Sequence, residues 1–399
     1  MSLTINNQLP DLSCTGCGAC LQTCKVDAIK METQADGFIY PRIDSAKCVQ
    51  CGQCVKVCHA LDNSVLKASS ICYAAQISRK DILRISTSGG LFYALAQSIL
   101  SENGVVYGCT YDDNYNAVIE RADTFDKISQ MHGSKYVWSD SSLSYPSVKK
   151  DLEDSRKVLY TGLPCQVAGL KKYLRKDYDE LYAVDVLCGG SPSPYAFQRY
   201  LETLTDKAEK KDLYFQFRDK EKYGSGVDCT YIINGVKHHE NYLQNSYYYA
   251  FCSKSRITWR KSCYGCNYKS IRRAADMTIG DFWGVEKYHS SFNPKEGVSV
   301  VLINTTQGEK LFEKIKSILH YEESCVSYAV ERNSLVDKIE EGHVKMPEDR
   351  DEFFHTLRLK GWKAADRKFL RNRKKILWKQ LLLKVYRKLL RMVKKEYRK

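Results

Sequence analysis

The chain has 399 residues, with 62 lysines and arginines against 47 acidic residues, which gives a net charge of +15. Its content of 43% hydrophobic and 27% charged residues is ordinary for a globular protein and excludes wholesale disorder. No apolar run approaches the roughly 18 residues that a membrane span needs. The first ten residues also lack the pattern of a secretory signal. We therefore expect a cytoplasmic protein of two or three domains.

The positive charge is concentrated at the C-terminal end of the sequence. Residues 356–399 contain 18 basic and 2 acidic residues, a net charge of +16, and the other 355 residues have a net charge of −1. Such an asymmetry is typical of an interaction tail on a neutral body. An evenly spread positive charge would have favoured a nucleic-acid-binding protein, so the distribution disfavours nucleic acid as a partner.

Eight of the 17 cysteines fall in the first 58 residues, as two copies of the pattern C-x2-C-x2-C-x3-C. This is the spacing of a bacterial-type ferredoxin with two [4Fe-4S] clusters, in which the fourth cysteine of each copy binds the other cluster. The predicted ligand sets are therefore crossed. The first ferredoxin set is Cys14, Cys17, Cys20 and Cys58, and the second ferredoxin set is Cys48, Cys51, Cys54 and Cys24.

Zinc and disulfides are the alternative explanations of these cysteines. Zinc sites use two pairs of ligands rather than one compressed run of four, and disulfides need an oxidising compartment. Between the two copies, residues 29–44 predict a hairpin that turns at Asp36-Gly37. Lys25 and His59 stand where proline usually follows the fourth cysteine, and we expect His59 to be packed or solvent-facing rather than a ligand. Residues 1–66 thus predict a two-cluster ferredoxin domain.

From residue 70 onward, predicted strands alternate with predicted helices, which favours an α/β layer with largely parallel strand pairing. The expected strands are 71–77, 104–109, 157–161 and 181–187, and the expected helices are 91–100, one ending near 175, and 194–204. Past residue 211 the pattern turns to hairpins, with candidate strands at 214–218 and 229–233. We divide this body into a first part at 70–210 and a second part at 211–345.

Four cysteines of the body form a second candidate metal site. Cys165 and Cys188 each follow a predicted strand, and the carboxyl ends of parallel strands meet at the edge where ligands usually bind. Cys263 and Cys266 form a further C-x-x-C pair. These four residues, the body cysteines, could hold a third [4Fe-4S] cluster, and the alternative is two buried structural thiols plus an unrelated pair. The remaining cysteines are predicted to be inert: Cys72, Cys109, Cys229, Cys252 and Cys325.

Several glycine-containing turns could surround a cofactor. Ser88-Gly89-Gly90 precedes a predicted helix and could present N–H groups to a phosphate. Neither a G-x-G-x-x-G after a strand nor a P-loop occurs, which argues against a standard nicotinamide fold and against P-loop ATP chemistry.

Five short motifs in one order resemble the beta subunit family of coenzyme F420 hydrogenases and dehydrogenases. They are Ser88-Gly89-Gly90, Gly133-Ser134-Lys135-Tyr136, Gly162-Leu163-Pro164-Cys165-Gln166, Asp185-Val186-Leu187-Cys188-Gly189, and Cys263-Tyr264-Gly265-Cys266 followed by 276–283. With the ferredoxin in front, the resemblance covers roughly residues 1–343.

The resemblance implies that the α/β body binds FAD and, on the body cysteines, a third [4Fe-4S] cluster. The implied FAD contacts are Ser88, Gly89, Gly90, Gly133, Ser134, Lys135, Tyr136, Gly280 and Asp281, with Lys135 as a charge partner of the pyrophosphate. Electrons would pass between the clusters and the flavin, and then to a soluble acceptor such as coenzyme F420 or another organic substrate. No catalytic proton donor can be named from the sequence.

The expected function is therefore that of an iron–sulfur flavoprotein oxidoreductase with a redox partner protein or complex and a small-molecule acceptor. The alternative is an electron-relay subunit of a larger redox complex, with no substrate chemistry of its own. The relay explains the eight N-terminal cysteines but assigns no task to the body.

Residues 371–399 predict one basic amphipathic helix. Its apolar residues recur at spacings of three and four, and lysines and arginines cover the other faces. Four roles are open: binding an anionic membrane surface, docking on an acidic partner, binding nucleic acid, and packing on the body. The first would hold a cytoplasmic protein at the inner face of the membrane.

Overall fold

The computed structural model describes residues 4–9, 12–62, 66–69, 71–205, 213–221, 224–226, 228–240, 247–333 and 344–370. Their strands are β1 Ile29–Thr33, β2 Ile39–Ile43, β3 Lys67–Ala68, β4 Ile71–Ile77, β5 Val105–Tyr111, β6 Ala117–Ala122, β7 Val158–Gly162, β8 Leu181–Val186, β9 Leu213–Phe217, β10 Cys229–Ile233, β11 Val236–Glu240, β12 Arg272–Arg273, β13 Met277–Asp281, β14 Ser299–Ile303 and β15 Leu319–Ser324.

Thirteen α-helices are described within the same ranges. They are α1 Ile5–Gln8, α2 Ala19–Gln22, α3 Gln53–Lys56, α4 Lys80–Ile85, α5 Leu91–Ser101, α6 Phe125–Met131, α7 Ser144–Glu153, α8 Pro164–Leu174, α9 Pro194–Thr205, α10 Tyr247–Tyr249, α11 Thr306–Ile315, α12 Val326–Glu331 and α13 Arg350–Phe369. A π-helix spans Ala250–Ser255, and short 3-10 helices occur at Lys261–Cys263, Val285–Lys287, Pro294–Glu296 and Lys316–Ile318.

The N-terminal domain consists of short helices and the predicted hairpin. Strands β1 and β2 pair antiparallel, with Ile29 opposite Ile43. Gly37 in the turn has a φ of +82°, and a Cβ atom there would lie 2.3 Å from the Tyr195 side chain of the body. Because only glycine lacks that atom, the hairpin turn can rest directly on the body.

The body is built on one eight-stranded sheet in the order β15-β4-β14-β13-β8-β7-β5-β6. The pairings β13–β8, β8–β7 and β7–β5 are parallel, whereas the other four are antiparallel. The mixed α/β architecture is as predicted, but the expectation of largely parallel pairing is wrong outside the centre. A parallel return needs a long crossover, usually an α-helix, and the described connection from β13 to β14 contains only 3-10 turns.

Helices cover both faces of this sheet. On one face, α5 and α11 bury a core that includes Leu95, Ile99, Leu311 and Phe312. On the other face, α7 and α8 share a core with residues of the N-terminal domain, among them Ala19 and Val57. The ferredoxin part of the chain is therefore packed into the body rather than attached by a linker.

A third, aromatic core joins the antiparallel sheet β11-β10-β9 to helices α9 and α13. Phe197 and Tyr200 of α9 contact Phe215, Tyr248 and Trp362. Helix α13 is kinked at Gly361, whose φ is +73°. The predicted start of a separate tail at residue 356 falls inside this helix, and the predicted basic helix 371–399 lies outside the described residues. No helix in the described ranges has both the length and the apolarity to cross a membrane.

Replacement of Leu95 by alanine tests the role of α5 in the first core. Leu95 is fully buried and Leu359 on α13 is 69% exposed. We expect Leu95→Ala to lower the free energy of unfolding by about 2–5 kcal/mol because it leaves a cavity. Leu359→Ala should change it by less than about 0.5 kcal/mol. Urea denaturation followed by circular dichroism measures both, and equal losses would contradict the described packing.

Candidate functional site

The structure groups the first ferredoxin set around one small space. Cys14, Cys17, Cys20 and Cys58 line a cavity of about 30 Å³, although Cys58 comes from the second copy of the motif. Burial raises the pKa of the Cys17 thiol to about 12, and it also raises the pKa values of Cys20 and Cys58. A metal cluster would compensate for this burial because it binds cysteine as the thiolate. The crossed ligand assignment stays a prediction that this grouping supports.

The second ferredoxin set lies nearer to solvent. Cys51 is exposed, and Cys24, Cys48 and Cys54 are half-buried. The backbone N–H of Ala28 donates a hydrogen bond of 3.3 Å to the Cys24 sulfur. N–H groups aimed at sulfur are the usual environment of iron–sulfur ligands.

The body cysteines are also brought together. Cys165 is in the first turn of α8 directly after β7, Cys188 follows β8, and Cys263 ends a 3-10 helix three residues before Cys266. Burial, reinforced by the neighbouring thiols of the set, raises the pKa of Cys188 to about 11 and of Cys263 to about 12. The same two causes raise the pKa of Cys165 well above its usual value. The N–H of Ser191 donates to the Cys263 sulfur at 3.4 Å.

These thiols do not form the ligand cage of a single ion. Across the described residues, no three His, Cys, Asp or Glu side chains are arranged to hold one metal ion. The ligands of a cubane cluster surround a whole cluster of iron and sulfide rather than one ion. Four neighbouring half-buried thiols fit such a cluster by their chemistry.

The first ferredoxin set meets the body at helix α8. A Cβ atom on Gly169 would lie 2.8 Å from the Cys17 sulfur, so the helix can approach only because that residue is glycine. Tyr268 contacts both groups: it packs in one cluster with Cys165 and Cys266 of the body, and its hydroxyl is hydrogen-bonded to His59, the residue after Cys58 of the ferredoxin. The first ferredoxin set and the body cysteines are therefore neighbours.

His59, in the place of the usual proline, is buried and hydrogen-bonded at both ring nitrogens. Its Nε2 lies 2.9 Å from the Thr15 hydroxyl, and its Nδ1 lies 2.7 Å from the Tyr268 hydroxyl. Burial lowers the pKa of His59 to about 4, so the ring is neutral near pH 7. The side chain is thus a packed bridge from the ferredoxin loop to the body.

A cleft of about 330 Å³ opens at the carboxyl ends of the parallel strands β5, β7, β8 and β13. This is the edge at which open α/β sheets bind ligands. Eight of the nine FAD contacts implied by the sequence line this cleft: Ser88, Gly90, Gly133, Ser134, Lys135, Tyr136, Gly280 and Asp281. Cys188 lines it too, which places one of the body cysteines at the cleft wall.

Two of the implied contacts are engaged with the protein itself. Gly89 does not line the cleft, and its N–H donates to the Ser299 hydroxyl at 2.9 Å. The Lys135 ammonium donates to the carbonyls of Met131, His132 and Gly133 at 3.2, 3.0 and 3.4 Å. Lys135 therefore stabilises the loop that carries it, and its positive charge lies in the wall of the cleft.

Sequence reasoning missed three residues of the cleft. Arg218 at the end of β9 is buried, pairs with Asp281, and lies 5.2 Å from the Trp283 ring. Gln166 and His132 also line the cleft, and the buried Nε2 of His132 has no hydrogen-bond partner among the described residues. Arg218 and His132 belong to none of the short motifs, so nothing in the sequence singled them out. A buried nitrogen without a hydrogen-bond partner, such as His132 Nε2, is expected in the wall of a cleft that binds a polar cofactor.

The two-cluster ferredoxin pattern in front of a mixed α/β body defines an iron–sulfur subunit of the oxidoreductase type. Residues 13–60 match the model of the 4Fe-4S dicluster domain. Residues 155–326 match the model that describes the C terminus of the coenzyme F420 hydrogenase/dehydrogenase beta subunit. Residues 155–326 are thus similar to the beta subunits of coenzyme F420 hydrogenases and dehydrogenases, the family that the motifs resemble.

The chain is similar to a chain of the F420-reducing [NiFe] hydrogenase complex from Methanosarcina barkeri, at 18% identity over 71% of this chain and 98% of that chain, with a TM-score of 0.47. Among the curated proteins, no match is found.

Replacement of His59 by phenylalanine tests the bridge between ferredoxin and body. The Tyr268 hydroxyl would lose its partner in a buried position, which costs about 1–3 kcal/mol. We expect the free energy of unfolding to fall by that amount in urea denaturation. His355→Phe, on the exposed side of α13, is the matched control and should stay within about 0.5 kcal/mol. Unchanged stability of His59→Phe would mean that the bridge contributes nothing.

Proposed function

We propose that the chain is an iron–sulfur flavoprotein oxidoreductase that passes electrons from its ferredoxin domain to a flavin in the cleft, and from there to a soluble acceptor. One observation carries the proposal. The body cysteines lie between the two sites, since they neighbour Cys17 of the ferredoxin across Gly169 on one side and contribute Cys188 to the cleft wall on the other.

The exposure of the cysteine sets supports an order of transfer. The second ferredoxin set includes the exposed Cys51, whereas the first set is packed against α8 and the body cysteines are all half-buried. A redox partner protein therefore reaches the second set most easily. The proposed order runs from the second ferredoxin set to the first, then to a third [4Fe-4S] cluster on the body cysteines, and last to the cleft.

Flavin, when bound, supplies the exchange between single electrons and a hydride. In this proposal the residues that would hold FAD lie at the strand ends of β7, β8 and β13 and in the loops 86–90 and 132–136, which line the cleft together with Cys188. Lys220 fixes the first of these loops, because its ammonium donates to the carbonyl oxygens of Ser88, Leu83 and Glu296 at 2.6, 3.0 and 2.6 Å. Arg218 and Asp281 neutralise each other in the cleft wall.

An adjoining groove supports the use of a small-molecule acceptor. The groove measures about 1100 Å³, is rich in aromatic side chains, and shares Tyr93 and residues 132–135 with the cleft. An acceptor in this groove could approach the cleft without passing the cysteines. A conjugated organic molecule such as coenzyme F420 would find stacking partners in Tyr111, Tyr115 and Tyr214.

Metal and flavin analysis of protein purified without oxygen tests the proposal. We expect about 12 iron atoms and one FAD per chain, since each [4Fe-4S] cluster holds four iron atoms. About eight iron atoms with no flavin would contradict the proposal and favour an electron relay.

The same analysis on two cysteine variants tests the third cluster. Cys165→Ala should lower the iron content by about four atoms and leave the spectrum of the ferredoxin clusters in place. Cys229→Ala is the control, because Cys229 is also a free cysteine but lies fully buried in the aromatic core. Unchanged iron in Cys165→Ala, or an equal loss in both variants, would contradict the assignment.

A blocked cleft tests where the flavin binds. Val186 lies at the end of β8, lines the cleft and is 36% exposed, whereas Val236 on β11 is 56% exposed and lies outside it. We expect Val186→Trp to purify without flavin but with full iron content, because the indole fills the space for the ring. Val236→Trp should retain both cofactors. Full flavin content in Val186→Trp would place the flavin elsewhere.

A further inference from the structure

Arg260 reaches from the body into the loop of the first ferredoxin set. Its side chain is 1% exposed, and its Nε donates to the carbonyl of Cys14 at 2.9 Å. Its Nη2 donates to the carbonyl of Ile39 at 2.8 Å and lies 3.9 Å from the Cys14 sulfur. The guanidinium also packs on the rings of Tyr40 and Phe38, with distances of 4.2 and 5.2 Å to the ring centroids.

The charge of Arg260 has no carboxylate to balance it among the described residues. Four of the described arginines are almost fully buried, namely Arg218, Arg260, Arg273 and Arg350. Arg218 pairs with Asp281. Arg273 lies 3.8 Å from the carboxylate of Asp185, and Arg350 lies 2.8 Å from that of Asp36. Arg260 has only carbonyls, rings and a sulfur around it, and its buried Nη1 has no hydrogen-bond partner in the described part of the chain. A buried charge without a counter-charge is costly, so the site calls for an anion.

The ferredoxin loop leaves room for this guanidinium. Gly16, between Cys14 and Cys17, has a φ of +73°, and a Cβ atom there would lie 2.8 Å from Arg260 Nη1. The unpartnered nitrogen therefore faces the loop that carries three cysteines of the first ferredoxin set. A cluster held by four thiolates is an anion, and it is the anion that this position can accept.

We infer that Arg260 is the counter-charge of the cluster on the first ferredoxin set, and that it raises the reduction potential of this cluster above that of the cluster on the second set. Reduction adds a negative charge to a cluster, and a nearby cation or N–H donor stabilises the reduced form. The hydrogen bonds of Arg260 within the described ranges reach Cys14 and Ile39 but no cysteine of the second set. Electrons that arrive at the exposed set would then move inward.

This inference rests on the ferredoxin part of the proposed function and not on the flavin. A chain that lacked flavin would fail the metal and flavin analysis, yet both ferredoxin potentials could still be measured. The flavin analysis and the measurement of the potentials can therefore give opposite outcomes, and each tests its own proposal.

Redox titration followed by electron paramagnetic resonance tests the inference on the full chain. In the wild type, the cluster of the first set should have the higher potential of the two. Cys51→Ser assigns the signals because it alters the second set alone. Arg260→Gln should lower the potential of the first-set cluster relative to that of the second-set cluster. The equilibrium constant for electron transfer from the second set to the first should fall at least tenfold, which is 59 mV for one electron. Arg260→Lys keeps the charge and should shift it less than tenfold.

Arg350→Gln is the matched control, because it tests whether the loss of any buried arginine between the ferredoxin domain and the body has the same effect. Arg350 also joins ferredoxin to body, through Asp36 and the carbonyl of Trp259, but no hydrogen bond links it to a cysteine sulfur among the described residues. It should shift this equilibrium constant less than Arg260→Gln does. An equal shift in both variants, an equal shift of both clusters, or no shift would overturn the inference. A wild-type first-set cluster with the lower potential would overturn it even if Arg260→Gln failed to fold.

Discussion

The close contact between the ferredoxin loops and the body is the constraint on which the rest of the structure depends. It is made where side chains are absent: Gly169 faces Cys17, Gly18 faces Ser142, and Gly37 faces Tyr195. Buried groups then fasten the contact, since Arg350 pairs with Asp36, and His59 bridges to Tyr268. Because electrons pass only between redox groups that are near each other, this packing turns two domains into one candidate route.

Much of the fold could be predicted from the sequence, because local patterns decided it. The ferredoxin spacing, the hairpin at residues 29–44 and strand β4 at 71–77 follow from cysteine spacing, turn residues and apolar runs. The antiparallel half of the sheet could not be predicted, because β4 pairs with β14 and β15, which lie far along the chain, and no local pattern marks such pairings. The burial of residues 356–370 could not be predicted either. This segment is basic in composition, yet its Leu357, Trp362 and Phe369 side chains are buried in the aromatic core.

The candidate site shows the same division. The cysteines and glycine turns have recognisable spacing, and eight of the nine implied FAD contacts line one cleft. Arg218, His132 and Arg260 have no spacing to recognise, and their positions follow from tertiary packing alone. Lys135 shows what packing adds to the residue type: it lines the cleft, as the implied cofactor contact requires, and its ammonium also donates to three carbonyls of its own loop, which the sequence does not show.

Electron transfer from a protein donor to the cleft tests the central claim most directly. A reduced ferredoxin protein is too large to enter the cleft, so any flavin it reduces must receive electrons through the chain's own clusters. The wild type and Cys263→Ala, both loaded with flavin, would be mixed with this donor without oxygen while flavin absorbance is followed. The account predicts that the wild-type flavin bleaches and that the flavin of Cys263→Ala stays oxidised while its ferredoxin clusters are reduced. Bleaching at the same rate in both proteins would contradict it.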